Sequence, residues 1–144
     1  MDNISDSHIK SSITEASICL LVDAFYAKVK ADPQLGPIFL QAIGNEPDAW
    51  KEHLHKMYSF WSSVMLSSGR YRGNPLKKHI DLPPFNPAFF ERWLELFAET
   101  ANVLHPPMIA ASYIEKSKRI AESISLGVQH RPVNDSHIPT SNQL

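Results

Sequence analysis

The chain has 144 residues, of which 43% are hydrophobic and 20% are charged, and its formal net charge is −1. This length allows one domain with one hydrophobic core, and the scattered basic residues argue against a nucleic-acid partner. The N-terminus is polar rather than a secretory signal, and no apolar run approaches the roughly 20 residues that span a bilayer. We therefore expect a cytoplasmic protein with no membrane partner, in which the single cysteine, Cys19, is a buried and inert thiol.

The first predicted helix begins at a capping box, with Ser12 as the N-cap and Glu15 reaching back to it. Apolar residues then recur at steps of three and four, which indicates one buried helical face. Asp32-Pro33 ends this helix, because the residue before a proline avoids the helical conformation. We expect residues 35–39 to form a tight turn or a short irregular helix. The predicted inner face comprises Ile18, Leu21, Val22, Phe25 and Val29.

A second long helix is predicted from Pro47, with Asn45 as its cap and an end near residues 67–69. A loop over residues 70–75 and a short helical piece over residues 76–80 follow. Because Leu82-Pro83-Pro84-Phe85 contains two consecutive prolines, we expect it to lie outside helix interiors. The inner face of the second helix comprises Trp50, His53 or Leu54, Met57, Phe60 or Trp61, Val64 and Met65.

A third long helix is predicted to begin at Asn86-Pro87 by the same rule, and a break at His105-Pro106-Pro107 separates it from a fourth helix that ends at Gly127. No segment alternates convincingly as a strand, so we predict an all-α fold. Residues 1–12 form an N-terminal arm, residues 13–126 one domain, and residues 127–144 a polar, disordered tail. The inner faces comprise Phe90, Trp93, Leu94, Phe97 and Ala101, and then Ile109, Tyr113, Ser117, Ile120 and Ile124.

Histidines and aromatic residues are concentrated in the middle of the chain. His79 is compatible with a surface histidine beside two lysines, or with an axial ligand of haem iron whose second ring nitrogen is held by a carbonyl or carboxylate. His53 shares the apolar face of its helix, where it could be an interface histidine satisfied by a backbone carbonyl. Tyr26 and Trp93 could each be core residues. Each of these residues taken alone could be an ordinary structural residue or part of a functional site.

In their order and spacing, seven stretches between residues 13 and 125 resemble the truncated haemoglobins, and within that family group III, the P class. The absence of a Gly-Gly pair also agrees with group III rather than with groups I and II. The stretches are Phe25-Tyr26, Leu35-Gly36-Pro37-Ile38-Phe39, Trp50-Lys51-Glu52-His53, Phe60-Trp61, Tyr71-Arg72-Gly73-Asn74-Pro75-Leu76-Lys77-Lys78-His79, Leu82-Pro83-Pro84-Phe85 and Phe89-Phe90-Glu91-Arg92-Trp93-Leu94.

The resemblance implies a truncated globin fold, in which two antiparallel helix pairs are packed as a sandwich around one haem b per chain. It implies that His79 holds the iron, and that Tyr26, His53 and Trp93 surround the bound ligand on the other side of the haem. It also implies apolar haem contacts from Phe39, Leu54, Met57, Phe60, Trp61, Leu76, Leu82, Phe85 and Phe89. Our hypothesis is that the partners of the haem propionates are among Lys56, Tyr71, Arg72 and Lys78; the alternative is an ordinary solvated basic patch.

The resemblance further implies binding of O₂ and of other small ligands, namely NO, CO, cyanide and peroxide. Each distal donor is worth roughly 1–3 kcal/mol toward a charged acceptor, and every ~1.4 kcal/mol is a factor of ten. Such a pocket should release O₂ slowly, which favours O₂, peroxide or NO chemistry over oxygen transport. We therefore expect peroxidase-like or nitric oxide dioxygenase activity, with a reductase or other electron donor as a partner, in a monomer or weak dimer.

Two other functions are compatible with the sequence. The same haem could serve a gas-sensing or interaction module without turnover. The chain could also be a haem-free helical binding protein in which the histidines are incidental.

Overall fold

In the computed structural model we describe residues 12–80, 86 and 88–129, and these residues contain α-helices and no strand. The all-α prediction is therefore confirmed. None of the helices so described is long and apolar enough to cross a bilayer. The helices are α1 (Glu15–Ala31), α2 (Leu35–Ile43), α3 (Pro47–Leu66), α4 (Pro75–Ile80), α5 (Ala88–Leu104) and α6 (Pro107–Gln129).

Helix α1 begins at a capping box that lies two residues later than predicted. The Thr14 hydroxyl accepts from the backbone N–H of Ser17 at 3.0 Å, and Ser17 Oγ accepts from the N–H of Thr14 at 2.9 Å. Ser12 is therefore not the N-cap, because Ile13 enters the core and packs with Ile18 as a hydrophobic staple. Glu15, which was predicted to complete the capping box, instead accepts from Ser62 and pairs with Arg70.

The inner face of α1 is confirmed, since Ile18, Leu21, Val22, Phe25 and Val29 are all buried. Cys19 is half-buried rather than buried. Burial and the neighbouring carboxylates of Asp23 and Glu15 raise the pKa of this thiol, which keeps it protonated.

Residues 35–39 belong to a regular helix, so the prediction of a turn or irregular helix was wrong. Asp32 is the C-cap of α1, and its carboxylate accepts from the N–H groups of Gln34, the N-cap of α2, at 3.0 Å and of Leu35 at 2.9 Å. Gly36 lets α2 lie directly against the end of α1, since an added Cβ would stand 2.8 Å from the carbonyl oxygen of Lys30.

Helix α3 begins at Pro47, as predicted, but its N-cap is Glu46, whose side chain makes no capping bond. The prediction of Asn45 as the cap was therefore wrong. The helix ends at Leu66, where Ser67 adopts the left-handed conformation with φ of 57°. Along α3 the buried residues are Trp50, Trp61, Ser62 and Met65.

Asn86 caps α5 as predicted, with its side-chain oxygen 2.9 Å from the N–H of Ala88. The break after α5 is also confirmed, because α5 ends at Leu104 and α6 begins at Pro107. Helix α6 continues through Gly127 to Gln129, so its predicted end was too early. Val128 is buried one turn after Ile124 and extends the apolar face. The remainder of the predicted tail, and residues 82–85, lie outside the described residues.

The helices form two layers around a shared core. Helix α1 packs on α3 and α5, α5 packs along α6, and α4 lies against α6. The core rings belong to Phe25, Trp50, Trp61, Phe97 and Tyr113. Because α4 contacts α6 while α2 contacts α1, α3 and α5, a space remains between these helices.

Candidate functional site

A cavity of about 310 Å³ lies among the six helices. Its volume is at the lower end of the roughly 300–1,000 Å³ of sites that hold small molecules and cofactors. The lining is mainly apolar, with four histidine or tyrosine side chains and two lysines among the hydrophobic ones. It comprises Tyr26, Leu35, Ile38, Phe39, Ala42, Ile43, His53, Lys56, Met57, Phe60, Trp61, Tyr71, Pro75, Lys78, His79, Phe89, Phe90, Trp93, Ile120, Ala121 and Ile124.

His79 lies near the end of the short helix α4 and lines this cavity. Its Nδ1 lies 2.7 Å from the backbone carbonyl oxygen of Pro75, one helical turn earlier. A carbonyl oxygen can only accept, so Nδ1 carries a proton, and in this tautomer of the neutral ring Nε2 has the free lone pair. This is the arrangement of a metal-ligating imidazole, in which a second hydrogen bond fixes the ring and the tautomer.

His53 reaches the cavity from α3, and its Nε2 is buried without a hydrogen-bond partner among the described residues. Burial, followed by the electrostatic influence of Lys56 and His79, lowers the pKa of His53 to about 4. The ring is therefore neutral near pH 7. An unpaired buried polar atom costs about 1–3 kcal/mol, so a polar ligand in the cavity would relieve this cost.

Tyr26 is held in the cavity wall by three aromatic contacts. Its ring meets those of Phe25, His53 and Phe39 edge to face, with centroids 5.0, 5.0 and 5.8 Å away. Burial raises the pKa of Tyr26 far above its ordinary value. The phenol therefore stays protonated and can donate a hydrogen bond.

Trp93 is fixed by the core behind it. Its ring stacks on Phe97 at 5.6 Å and meets the edge of Phe25 at 5.4 Å. Phe97 stacks in turn on Trp61 at 4.9 Å. Tyr26, His53 and Trp93, predicted as a distal group, are thus brought together at one cavity.

Two lysines supply positive charge to the lining. Lys56 on α3 and Lys78 on α4 are both exposed, and Lys56 is only loosely paired with Glu52, at 3.8 Å. Tyr71 also lines the cavity, packed edge to face on Phe60 at 5.2 Å. The lining can therefore hold a group with an apolar body and an anionic edge.

The structure does not bring every predicted site residue to the cavity. Leu54 and Arg72 are described but do not line it. Leu82 and Phe85, and the side chain of Leu76, lie outside the described residues.

Several lining residues were not assigned to the site from the sequence. The inward faces of the third and fourth predicted helices contain Phe90, Ile120 and Ile124, so periodicity alone could have placed these three near a cavity. From α2 only Phe39 was assigned to the site, through the family resemblance, because this segment was interpreted as a tight turn or a short irregular helix. From α2 and α4 the unassigned residues are Leu35, Ile38, Ala42, Ile43 and Pro75.

An ion pair joins the α1–α2 corner to α5 behind this cavity. The Nε and Nη2 atoms of Arg92 donate to one oxygen of Asp32, at 2.8 and 2.7 Å, and the Asp32 side chain is only 2% exposed. Burial raises the pKa of Asp32, but hydrogen bonds from Arg92, Leu35 and Gln34 outweigh it and leave the pKa below its ordinary value. Because Arg92 directly precedes Trp93, this ion pair holds the Trp93 segment of α5 in place against the α1–α2 corner.

A polar cluster fixes the loop between α3 and α4. Ser62 Oγ donates to Glu15 and lies 2.7 Å from Ser68 Oγ, and the N–H of Tyr71 donates to Ser63 at 2.9 Å. Gly73 lies against the ring of Tyr71, and an added Cβ would stand 2.3 Å from the phenol oxygen and displace that side chain.

Comparison with known proteins identifies relatives along most of the chain. The chain is 44% identical over 110 residues to the group 3 truncated hemoglobin ctb of Campylobacter jejuni, a match that spans 76% of this chain and 87% of that protein. It also resembles the crystal structure of the group III truncated hemoglobin from Campylobacter jejuni, with a TM-score of 0.79 and 40% identity. That match covers 84% of this chain and 95% of the other. No family model matches the chain.

Proposed function

The chain belongs to the group III truncated haemoglobins and is a haem-binding globin, and we propose that it holds one haem b in the cavity, with His79 Nε2 as the axial ligand of the iron. The observation that carries this proposal is the bond from His79 Nδ1 to the Pro75 carbonyl. That bond leaves one basic nitrogen on a residue that lines a largely apolar cavity. Haem would supply a redox-active iron that binds diatomic ligands.

The lining fits the other parts of a haem. Its large apolar faces would leave water at about 25 cal/mol per Å², against rings such as Phe39, Phe60 and Trp61. Lys56 and Lys78 would pair with the two propionates, while Tyr71 would cover the adjoining edge. Ammonium groups and carboxylates form charge-assisted hydrogen bonds, which suit an exposed rim.

Three side chains would act on a ligand in the remaining space. The Tyr26 hydroxyl, the Trp93 indole N–H and the neutral His53 imidazole are all potential donors. The orphaned Nε2 of His53 is supporting evidence, because it lacks a partner until a ligand arrives. Donors in a dry pocket stabilise an acceptor that carries negative charge, so O₂ would be released slowly.

We infer that the protein carries out chemistry on O₂, peroxide or NO, with an external electron donor, rather than oxygen transport. Hydrogen-bond donors around the ligand would polarise it and slow its exchange with solvent, which favours a reaction over transport. Peroxidase-like and nitric oxide dioxygenase turnover are the two reactions that this pocket supports.

Titration of the purified protein with haem tests the proposal directly. The Soret absorbance should rise linearly and reach a plateau at one equivalent of haem per chain. Turnover of peroxide or NO by the loaded protein, supplied with a reductase, would then establish an enzyme rather than a binder. A titration without a plateau, or with no Soret band, would contradict haem binding at a specific site.

A further inference from the structure

A series of ring contacts leads from the cavity to the corner between α5 and α6. Trp61 lines the cavity and lies 6.2 Å from the ring of Tyr113, centroid to centroid. Tyr113 stacks on His105 at 5.2 Å with an angle of 25° between the planes. His105 is half-buried and stands at the break before α6. Trp93 joins this series through Phe97.

The hydroxyl of Tyr113 has no evident structural role. Tyr113 is 0% exposed, and its Oη has no hydrogen-bond partner among the described residues. Burial raises the pKa of Tyr113, and the nearby Ser17 hydroxyl offsets part of that rise. Ser17 itself is engaged by the capping box, donating to the Thr14 carbonyl and accepting from the Thr14 N–H.

Packing alone would favour phenylalanine at this position. An unpaired buried hydroxyl costs about 1–3 kcal/mol, and such groups in a native structure call for an explanation, a redox role among them. A phenol differs from a phenyl ring in being easily oxidised once its proton can leave. The ring series supplies the electronic contact that such a role requires, because Trp61 touches both the cavity and Tyr113.

We propose that Tyr113 is a one-electron oxidation site, joined to the haem pocket through Trp61, that takes up oxidising equivalents when the protein reacts with hydrogen peroxide. The inference rests on the proposed haem binding. Hydrogen peroxide takes up two electrons and two protons to become two water molecules, and a bound haem would supply those electrons. Trp61 would return one electron at a time to the haem pocket, and Tyr113 would in turn reduce Trp61.

The proton and the final electron donor complete the balance. As Tyr113 loses an electron, Ser17 Oγ takes up the phenol proton and releases its own hydroxyl proton, until then donated to the Thr14 carbonyl, to water at the exposed start of α1. Tyr113 is left as a neutral phenoxyl radical. A small external donor of one hydrogen atom, a thiol or a phenol, then reduces that radical through the half-buried His105 corner. Two such passages return the cofactor to its starting state and consume two donor molecules for each peroxide.

Freeze-quench EPR of the haem-loaded ferric protein mixed with hydrogen peroxide tests this site. Wild type should show a tyrosyl radical that Tyr113→Phe removes almost entirely, and Trp61→Phe should reduce its yield several-fold. Tyr58→Phe is the matched control, because the Tyr58 hydroxyl binds Asp23 outside the ring series, and it should retain the wild-type signal. Tyr113→Phe should fold normally, since it removes only an unpaired hydroxyl.

The outcomes separate this inference from haem binding. A Soret band that responds to peroxide, together with an unchanged radical in Tyr113→Phe, would overturn the assignment and leave haem binding intact. So would a radical lost in Tyr26→Phe or Tyr71→Phe instead, or no radical in wild type. Absence of any Soret band in wild type would overturn both proposals.

Discussion

Two of the cavity's walls are built differently. The long-helix wall consists of α1, α3 and α5, and its side chains Tyr26, Trp61 and Trp93 are held by rings of the core. The α4 wall consists of a six-residue helix that carries Lys78 and His79. A helix this short is unstable by itself, so its position depends on its neighbours.

This difference in support indicates which wall is preorganised for a cofactor. The long-helix wall is part of the hydrophobic core and exists whether or not the cavity is filled. The α4 wall is held by contacts with α6 and by the polar cluster around Ser62 and Ser63. We infer that an iron bond at His79 would stabilise α4 most, while the donors of the long-helix wall would decide what happens to a ligand.

The largest effect is expected from removing a donor of the long-helix wall. Tyr26→Phe and Trp93→Phe should each speed O₂ release by about tenfold to a hundredfold, since a hydrogen bond to a charged acceptor is worth about 1.5–3 kcal/mol. Stopped-flow displacement of O₂ by CO measures this rate. Tyr58→Phe, outside the cavity, should leave it unchanged. O₂ dissociation rates that are nearly unchanged in both cavity variants would show that Tyr26 and Trp93 do not stabilise bound O₂.

A second effect should appear in the scaffold behind this wall. Asp32→Asn weakens the pair with Arg92 and leaves the Nε and Nη2 donors of Arg92 facing a neutral amide. The midpoint of thermal unfolding should fall by several degrees, and the CO stretching band of the loaded protein should broaden as Trp93 loses its register. Glu95→Gln is the control, because its partner contact with Arg92 is exposed. An unchanged midpoint would show that the pair does not fix the wall.

Asp32 should also make the stability of the folded protein depend on pH, with a sign that follows from its pKa. The pKa of Asp32 in the folded protein is below its ordinary value, so the folded state favours the charged carboxylate. The stability it provides is complete above about pH 4, the unfolded pKa, and is lost as pH falls through the folded pKa. Acid unfolding followed by circular dichroism should therefore be less steep in Asp32→Asn than in wild type. Equal steepness in both proteins would contradict this.

The smallest effect is expected at the exposed edge where the two walls meet. Lys56→Gln and Lys78→Gln should each weaken haem affinity about twofold to fivefold, because exposed ion pairs contribute about 0.5–1 kcal/mol. The loss should shrink at high salt, where such pairs are screened. Lys51→Gln, on α3 but away from the lining, should bind haem like wild type. Haem-transfer rates to an acceptor globin would measure the difference.

The two walls also differ in how well the sequence predicts them. Proline and cap patterns locate the long helices, and periodicity identifies the buried face of α1. On α5 it identifies Phe97 and Ala101 but not the buried Leu96 and Thr100.

The α1–α2 corner escapes prediction because the Asp32 carboxylate, which accepts from the first N–H groups of α2, is held by Arg92, 60 residues away along the chain. Pairings at such a separation leave no local pattern in the sequence. The cavity contributions of Leu35, Ile38, Ala42 and Ile43 from α2 likewise emerge only from the packed structure.

The role of His79 was suggested by family resemblance, whereas its hydrogen bond is local. A residue that binds the carbonyl four positions earlier follows from helical geometry once α4 exists. The orphaned nitrogen of His53 has no such local origin, because its surroundings come from Tyr26 on α1 and from its own helix together.

The absorption spectrum of haem-loaded His79→Ala, with and without added imidazole, tests most directly whether His79 is the iron ligand. We predict a weakened and shifted Soret band, which free imidazole restores by occupying the space that the side chain leaves. His55→Ala, an exposed histidine on α3 outside the cavity lining, should match wild type under both conditions. A wild-type spectrum for His79→Ala, insensitive to imidazole, would contradict the assignment of His79 as the iron ligand.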